Sequence, residues 1–409
     1  MKQVRPDWLV ISAGVCAALH VGKLPAALPV LRDALGVTLL QAGFLLSLVQ
    51  LAGMALGLAV GLVADGLGLR RTMLAGLWLL AGASALGAAA DQPSHLLVLR
   101  AVEGMGFLLV TMPAPGLIRR LVQPGRLSAA LGVWSAFMPL GTALALLLGP
   151  AVIFLAGWQT LWLSLATLTL AIAVTLAAVV PAETPQGQTA AMPAGWPMRL
   201  RQTLTSRGPW LVALCFAVYS AQWMSVIGFL PSIYSQAGLA AGWTAVATAG
   251  AAAVNIIGNV TAGKLLQRGA APDRLLLAGY ASMGVGAWIA FGPVAQDLAA
   301  TAAAALRYGA VLAFSMVGGM IPGTLFSMAV RLAPGERTVS TTVGWMQQWS
   351  SLGQFAGPPL VALVAHRAGG WQWTWLVTGG CALLGMALVV AARRRLRMAG
   401  AGPGIAGGT

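Results

Sequence analysis

The stretch GLVADGLGLRR, Gly61 to Arg71, lies between two long apolar runs, roughly Leu39–Val63 and Thr72–Ala90. Each run is long enough to cross a bilayer, which takes ~20 apolar residues at a rise of 1.5 Å each. A connection of a few residues carrying Asp65, Arg70 and Arg71 then makes a tight hairpin at one membrane face. Gly61 and Gly68 allow close helix approach and a sharp turn, and Asp65 can accept hydrogen bonds from backbone N–H groups or pair with an arginine. Taken alone, the stretch is either a charged turn that only orients the chain or part of a working hinge.

Outward from this hairpin the rest of the chain has the same character. The 409 residues are 58% hydrophobic and 8% charged, with a mean hydropathy of +0.83, where a soluble domain carries about 25% charged residues. The class is therefore a polytopic membrane protein. The net charge of +15 does not indicate nucleic-acid binding, because the basic residues fall in alternate loops. Arg70 and Arg71, Arg119 and Arg120, Arg199 and Arg201, Lys264 and Arg268, and Arg393 to Arg395 share one side; the intervening loops hold chiefly Arg32 and Arg367. This positive-inside pattern places both termini in the cytoplasm and requires an even number of spans. The location expected is a cell membrane of bacterial inner-membrane type. Cys16, Cys215 and Cys381 fall inside apolar runs and read as packing residues rather than a disulfide framework.

Composition shifts once, at Ala182–Gly208, which is rich in Pro, Gln, Thr and Ser, carries three arginines and has no apolar period. The expected organisation is a first helical bundle over 1–181, a cytoplasmic linker over 182–208, a second bundle over 209–392 and a basic tail over 393–409. The bundles repeat one another. Leu99-Arg100, Pro113, Pro124-Gly125, Gly149-Pro150 and Gly157-Trp158-Gln159 recur in the same order as Leu306-Arg307, Pro322, Pro334-Gly335, Gly357-Pro358 and Gly370-Trp371-Gln372. Pro322 is expected to kink an overlong span ten.

Chemistry is confined to a few polar groups inside the spans. Among three His there is no H-E-x-x-H, no G-x-S-x-G, no Cys pair and no Walker loop, so neither an enzyme nor an ATP-driven pump is indicated. Polar groups in a membrane are costly and default to function. Span one carries His20 and Lys23, and span four carries Arg100 and Glu103; each pair is at i and i+3 and shares a helix face. Lys23 could instead snorkel to the interface, His20 could be a packing histidine, and Arg100–Glu103 could be a structural ion pair or a proton-exchanging one. Arg307 stands at the repeat position of Arg100. Tyr219, Gln222 and Trp223 in span seven, Asn255 and Asn259 in span eight, and Gln348 and Trp349 in span eleven suit a cavity wall, although aromatic residues at helical spacing also serve packing.

The hairpin resembles the loop between helices two and three of the major facilitator superfamily, roughly G-x-x-x-D-R-x-G-R-R-R. Gly61, Asp65, Gly68, Arg70 and Arg71 match it, while Gly66 and Leu69 stand where basic residues are usual. LRAVEGMG at Leu99–Gly106 is similar to the span-four pattern R-x-x-Q-G-x-G, with Glu103 in place of Gln. The resemblance implies an all-α membrane protein of twelve spans in two parallel-repeated six-helix bundles. It implies a monomeric secondary transporter working by alternating access, with Gly61, Asp65, Gly68, Arg70 and Arg71 as a conformational latch. It also implies that spans one, four, seven and ten line the central cavity, so that Lys23, Arg100 and Arg307 would face one pathway. Three cations against Glu103 favour a small anionic substrate. Arg100 and Arg307 would bind it, Lys23 would assist, and Glu103 or His20 would carry a coupled proton. No cofactor or metal is expected.

Gly132 and Gly141 match part of the glycine-rich span-five signature of exporters in the family, but Gly149-Pro150 falls four residues late. This favours uptake by proton symport. Separately, the small size, the short loops and the texture of spans one and four resemble the cyanate-transporter-like and nitrate-porter-like branches of the family. The alternatives are a drug or metabolite exporter and, from another class, a membrane sensor or assembly factor on the same scaffold.

Overall fold

The computed structural model describes residues 5–123, 130, 133–182, 196–295, 298–335 and 338–394, and every regular element among them is a helix. The first part of the chain forms α1 (Pro6–Leu35), α2 (Leu39–Ser47), α3 (Leu51–Leu67), α4 (Leu69–Gly87), α5 (Pro93–Thr111), α6 (Ala114–Leu121) and α7 (Phe137–Val179). After a short helix α8 (Trp196–Thr205) come α9 (Arg207–Gln236), α10 (Ala241–Gln267), α11 (Pro272–Phe291), α12 (Ala300–Gly318), α13 (Met320–Arg331), α14 (Val339–Ala368) and α15 (Thr374–Ala391). Nine helical stretches among the described residues are long and apolar enough to cross a membrane.

Local chemistry sets the boundaries. Pro6, Pro93 and Pro272 open their helices, where a missing N–H costs nothing. Gly36 closes α1 in the left-handed conformation, and Thr38 and Gln41 form a reciprocal capping box at the start of α2. Gly68, at φ 92° and ψ 130°, separates α3 from α4, so the opening hairpin turns on this residue. The side chains of residues 61–67 lie outside the described part, and with them Gly61 and Asp65 of the expected latch.

Helix α7 is two helices. Gly157 is non-helical at φ 83° and ψ 163°, and the chain reverses there. Gly141 and Gly149 pack on Ala18 and Ala26 in rising order, whereas Trp162 and Thr169 meet Lys23 and His20 in falling order. The repeat-matched prolines Pro113 and Pro322 both mark breaks, between α5 and α6 and between α12 and α13. Each removes a helix donor and crowds the carbonyl four residues back. Within the expected linker, residues 196–205 are helical, tied to α9 by Trp210 Nε1, which donates to the Leu204 carbonyl at 2.7 Å.

Small residues bring the bundles together, as helix contacts in membranes require. Gly43 of α2 lies against Pro359 of α14, and Gly53 of α3 against Ser351. Further along the same pair, the Leu58 N–H donates to Gln348 Oε1 at 3.1 Å. Helix α7 also meets α10. Apolar cores form around Met73, Leu77 and Val110 in the first bundle and around Met283, Phe314 and Ile321 chiefly in the second, and a further cluster joins Leu28 and Leu45 of the first to Phe229 and Val361 of the second.

Candidate functional site

Two polar assemblies occur inside the apolar body among the described residues. The first is a charged cluster buried within the first bundle. Helix α1 supplies His20 and Lys23, α4 supplies Ser84, α5 supplies Arg100 and Glu103, and the second half of α7 supplies Trp162 and Thr169. Lys23, Arg100 and Glu103 are all at most 3% exposed. Lys23 Nζ donates to Glu103 Oε1 and, at 2.8 Å, to Ser84 Oγ, and it lies 4.5 Å from the centroid of the Trp162 ring. Arg100 Nη1 donates to Glu103 Oε2 at 2.7 Å and to the His20 carbonyl at 2.6 Å. Its other nitrogens donate to the carbonyls of Leu45 at 3.1 Å and Val21 at 3.3 Å.

Glu103 is thus held from both ends, and every charge has a partner, which is the condition for keeping ions in a low-dielectric interior. The cluster continues through His20. Its Nδ1 is 3.3 Å from Lys23 Nζ and its Nε2 is 2.7 Å from Thr169 Oγ1, which sits 3.2 Å from Cys16 Sγ. This chain of exchangeable protons links the carboxylate to a histidine without leaving the protein.

The second assembly lines a cavity of about 120 Å³ between the bundles. The first bundle contributes Gln50, Phe107 and Phe137, and the second contributes Tyr219, Trp223, Asn255 and Gln354. None of the described residues lining it is charged. Its amides form an ordered network. Asn255 Nδ2 donates to the Ser315 carbonyl at 2.8 Å and to Tyr219 Oη at 3.0 Å, and Asn259 Nδ2 donates to Asn255 Oδ1 at 2.9 Å. Trp223 Nε1 donates to Ser315 Oγ at 3.2 Å. Across the bundles, Gln50 Nε2 donates to Gln354 Oε1 at 3.1 Å.

The two assemblies share a wall. Val21, Val49 and Met224 pack together with Phe107 and Met138. Phe107 and Met138 line the cavity, and the Val21 carbonyl is held by Arg100.

The structure thus brings His20, Lys23, Arg100 and Glu103 together, and brings Tyr219, Trp223 and Asn255 to the central cavity. It does not join the two groups, and it separates Arg307 from both: Arg307 is exposed and lines a different cavity in the second bundle. The expected convergence of Lys23, Arg100 and Arg307 on one pathway is absent from this arrangement, because the first two are turned into the bundle by Glu103. Gln222 Nε2 donates to the Val218 carbonyl at 2.9 Å, inside its own helix. Gln348 is spent on the Leu58 N–H. Trp349 stacks edge-on with Trp210 and Trp345. In the hairpin, Arg70 Nη2 donates to the Ala177 carbonyl at 2.5 Å, and Arg71 is exposed.

Sequence reasoning missed Gln50, Gln354, Ser84 and Thr169. The two glutamines are intramembrane amides and carried a usable signal. The two hydroxyls carried none, since such residues commonly bond within their own helix.

A helical body of apolar crossings around an interior polar cavity defines a multi-pass membrane transporter. The sequence profile of the Major Facilitator Superfamily matches residues 10–358, and the chain belongs to that superfamily. The fold is shared with a bacterial homologue of the human lysosomal transporter Spinster in its inward-facing and occupied conformation, with a TM-score of 0.74, 15% identity and coverage of 96% of this chain and 97% of that one. The inward-facing and unoccupied form of such a homologue gives 0.69 at 14% identity, with 98% of each chain covered. The chain is also 28% identical over 163 residues to the tetracenomycin C resistance and export protein of Streptomyces glaucescens, covering 38% of this chain and 29% of that protein. It is 30% identical over 152 residues to the puromycin resistance protein pur8 of Streptomyces alboniger, covering 37% and 30%. The chain matches less than a third of the length of either relative.

Proposed function

We propose that the protein exports a small, partly aromatic organic solute through the central cavity, driven by protons exchanged at the Glu103 cluster. The observation that carries this reading is the lining of the cavity: aromatic rings and amides with no charged side chain among the described residues. Such a wall stacks on rings and gives hydrogen bonds to neutral polar groups, and it offers an inorganic anion no counter-charge. It therefore replaces the anion expected from the sequence. In this conformation the cavity approaches the ~150 Å³ that accommodates a benzene ring in a protein core, so a larger solute requires the bundles to part. The name of the tetracenomycin C resistance and export protein supports export as the direction.

Twelve crossings follow if α7 counts as two and α4 and α14, of 19 and 30 residues, are added to the apolar set. The bundles are 1–181 and 209–392, joined by 182–208 and followed by the tail 393–409, with both termini cytoplasmic and one chain sufficient. Protonation of Glu103 would release Lys23 and Arg100. The shared wall of Val21, Val49 and Phe107 would pass that change to the cavity.

The test is transport in proteoliposomes with a panel of aromatic solutes matched in size and differing in charge. Neutral or weakly basic members should accumulate when a pH gradient is imposed, and Trp223→Ala and Asn255→Ala should raise their KM. Glu103→Gln should abolish gradient-driven accumulation while retaining solute exchange between equal concentrations. Gradient-driven transport that survives in Glu103→Gln overturns the coupling role, and transport restricted to small anions overturns the solute class.

A further inference from the structure

The second bundle contains a larger cavity that the transport reading does not use. Its volume is about 630 Å³, and it lies at the end of the bundle remote from α8. Its walls come from the last turns of α9 and α11, the first turns of α10 and α12, and Trp371. The volume falls in the range of small-molecule sites, roughly 300–1,000 Å³.

Its polar side is built around a cation that the repeat leaves without its counter-ion. Arg307 corresponds to Arg100, and the residue corresponding to Glu103 is Ala310. Arg100 is satisfied by a carboxylate and three carbonyls. Arg307 has no hydrogen bond or ion pair among the described residues. Seven residues after the start of α12 it lies ~10 Å along the helix, a depth at which a cation facing hydrocarbon is costly. The Tyr234 hydroxyl, also in this lining, is buried and has no partner among the described residues. The Tyr308 hydroxyl is committed to the Ala247 carbonyl at 3.2 Å. Gln372 also lines the cavity, its Nε2 donating to the Ala368 carbonyl at 3.1 Å; the rest of the wall is apolar and aromatic, chiefly Trp243 and Phe291. One guanidinium fork and one phenol make a donor set for the two oxygens of a carboxylate, and the wall beside it suits a hydrocarbon chain.

We propose that this cavity binds a single-chain amphipathic carboxylate, its head on Arg307 and Tyr234 and its chain against Trp243 and Phe291. The site is independent of the solute in the central cavity.

Native mass spectrometry of the full chain in neutral detergent tests it, with oleate, methyl oleate and dioleoylphosphatidylglycerol as probes. The wild type should retain oleate at least tenfold better than methyl oleate. Arg307→Ala should remove that preference, Arg307→Lys should keep part of it, and Ala304→Trp, placed in the lining, should reduce retention of oleate. Trp223→Ala, in the central cavity, should leave the preference unchanged. Melting temperatures within the wild-type range confirm that the variants fold. Equal retention of oleate and its methyl ester means that Arg307 only reaches to the interface, and it overturns the proposal. So does a preference that survives in Arg307→Ala, or Arg307-dependent retention of the two-chain lipid without retention of oleate.

Discussion

Glu103→Gln tests whether the buried cluster is a balanced charge assembly. Glutamine keeps the shape of the side chain and removes the charge that lies between Lys23 and Arg100, which are 0% and 3% exposed. Two cations then share a site with no anion among its described members. Removing one partner of a buried ion pair costs roughly 3–5 kcal/mol. In a bundle of this size each kcal/mol corresponds to about 2–4 °C, so a fall in melting temperature of roughly 6–20 °C is expected. The free thiols of Cys16 and Cys215 are 1% and 0% exposed, so a thiol-reactive dye reports unfolding of either bundle. Adding Lys23→Met returns the site to one net positive charge, as in the wild type, and leaves Arg100 on its three carbonyls. The double variant should recover at least half of the loss. A melting temperature of Glu103→Gln within about 1 °C of the wild type would show that the ions carry no coupled stability, against the buried-pair cost above. A double variant no better than the single one would show that the loss comes from something other than charge.

Other expectations follow from contacts between helices. A Cβ on Gly353 would collide with the Ala217 carbonyl, so Gly353→Val should destabilise by about 1–3 kcal/mol in the same dye assay; Gly380→Ala, with open space around it, is the neutral control. Gly68→Ala forces an L-residue to φ 92° and should cost about 1–3 kcal/mol, read as a lower melting temperature. A Cβ on Gly53 would lie 3.0 Å from that of Ser351, slightly closer than a disulfide's usual ~3.8 Å. The pair Gly53→Cys and Ser351→Cys should therefore cross-link under oxidant after a small shift, stopping transport reversibly. Undiminished transport by the cross-linked protein would count against relative movement of α3 and α14.

The sequence by itself determined the membrane class, the hairpin turn at Gly68 and the break before Pro322, because each rests on a local property: apolar run length, a glycine-only φ or a missing N–H. It also determined that Arg100 and Glu103 share a face, since i and i+3 neighbours on a helix always do. Only the tertiary structure decided what those groups do. Lys23 was separable from a snorkelling lysine only when α1 packed against α4 and α5 and brought Ser84 and Glu103 to its ammonium. Gln50 and Gln354 are 304 positions apart and become one bonded pair where the bundles meet. Arg100 and Arg307 read as equivalents in the sequence, yet one is buried and the other lines an open cavity. A repeat preserves helix periodicity and breaks, whereas the environment of a side chain depends on residues from other helices, and these have diverged between the halves.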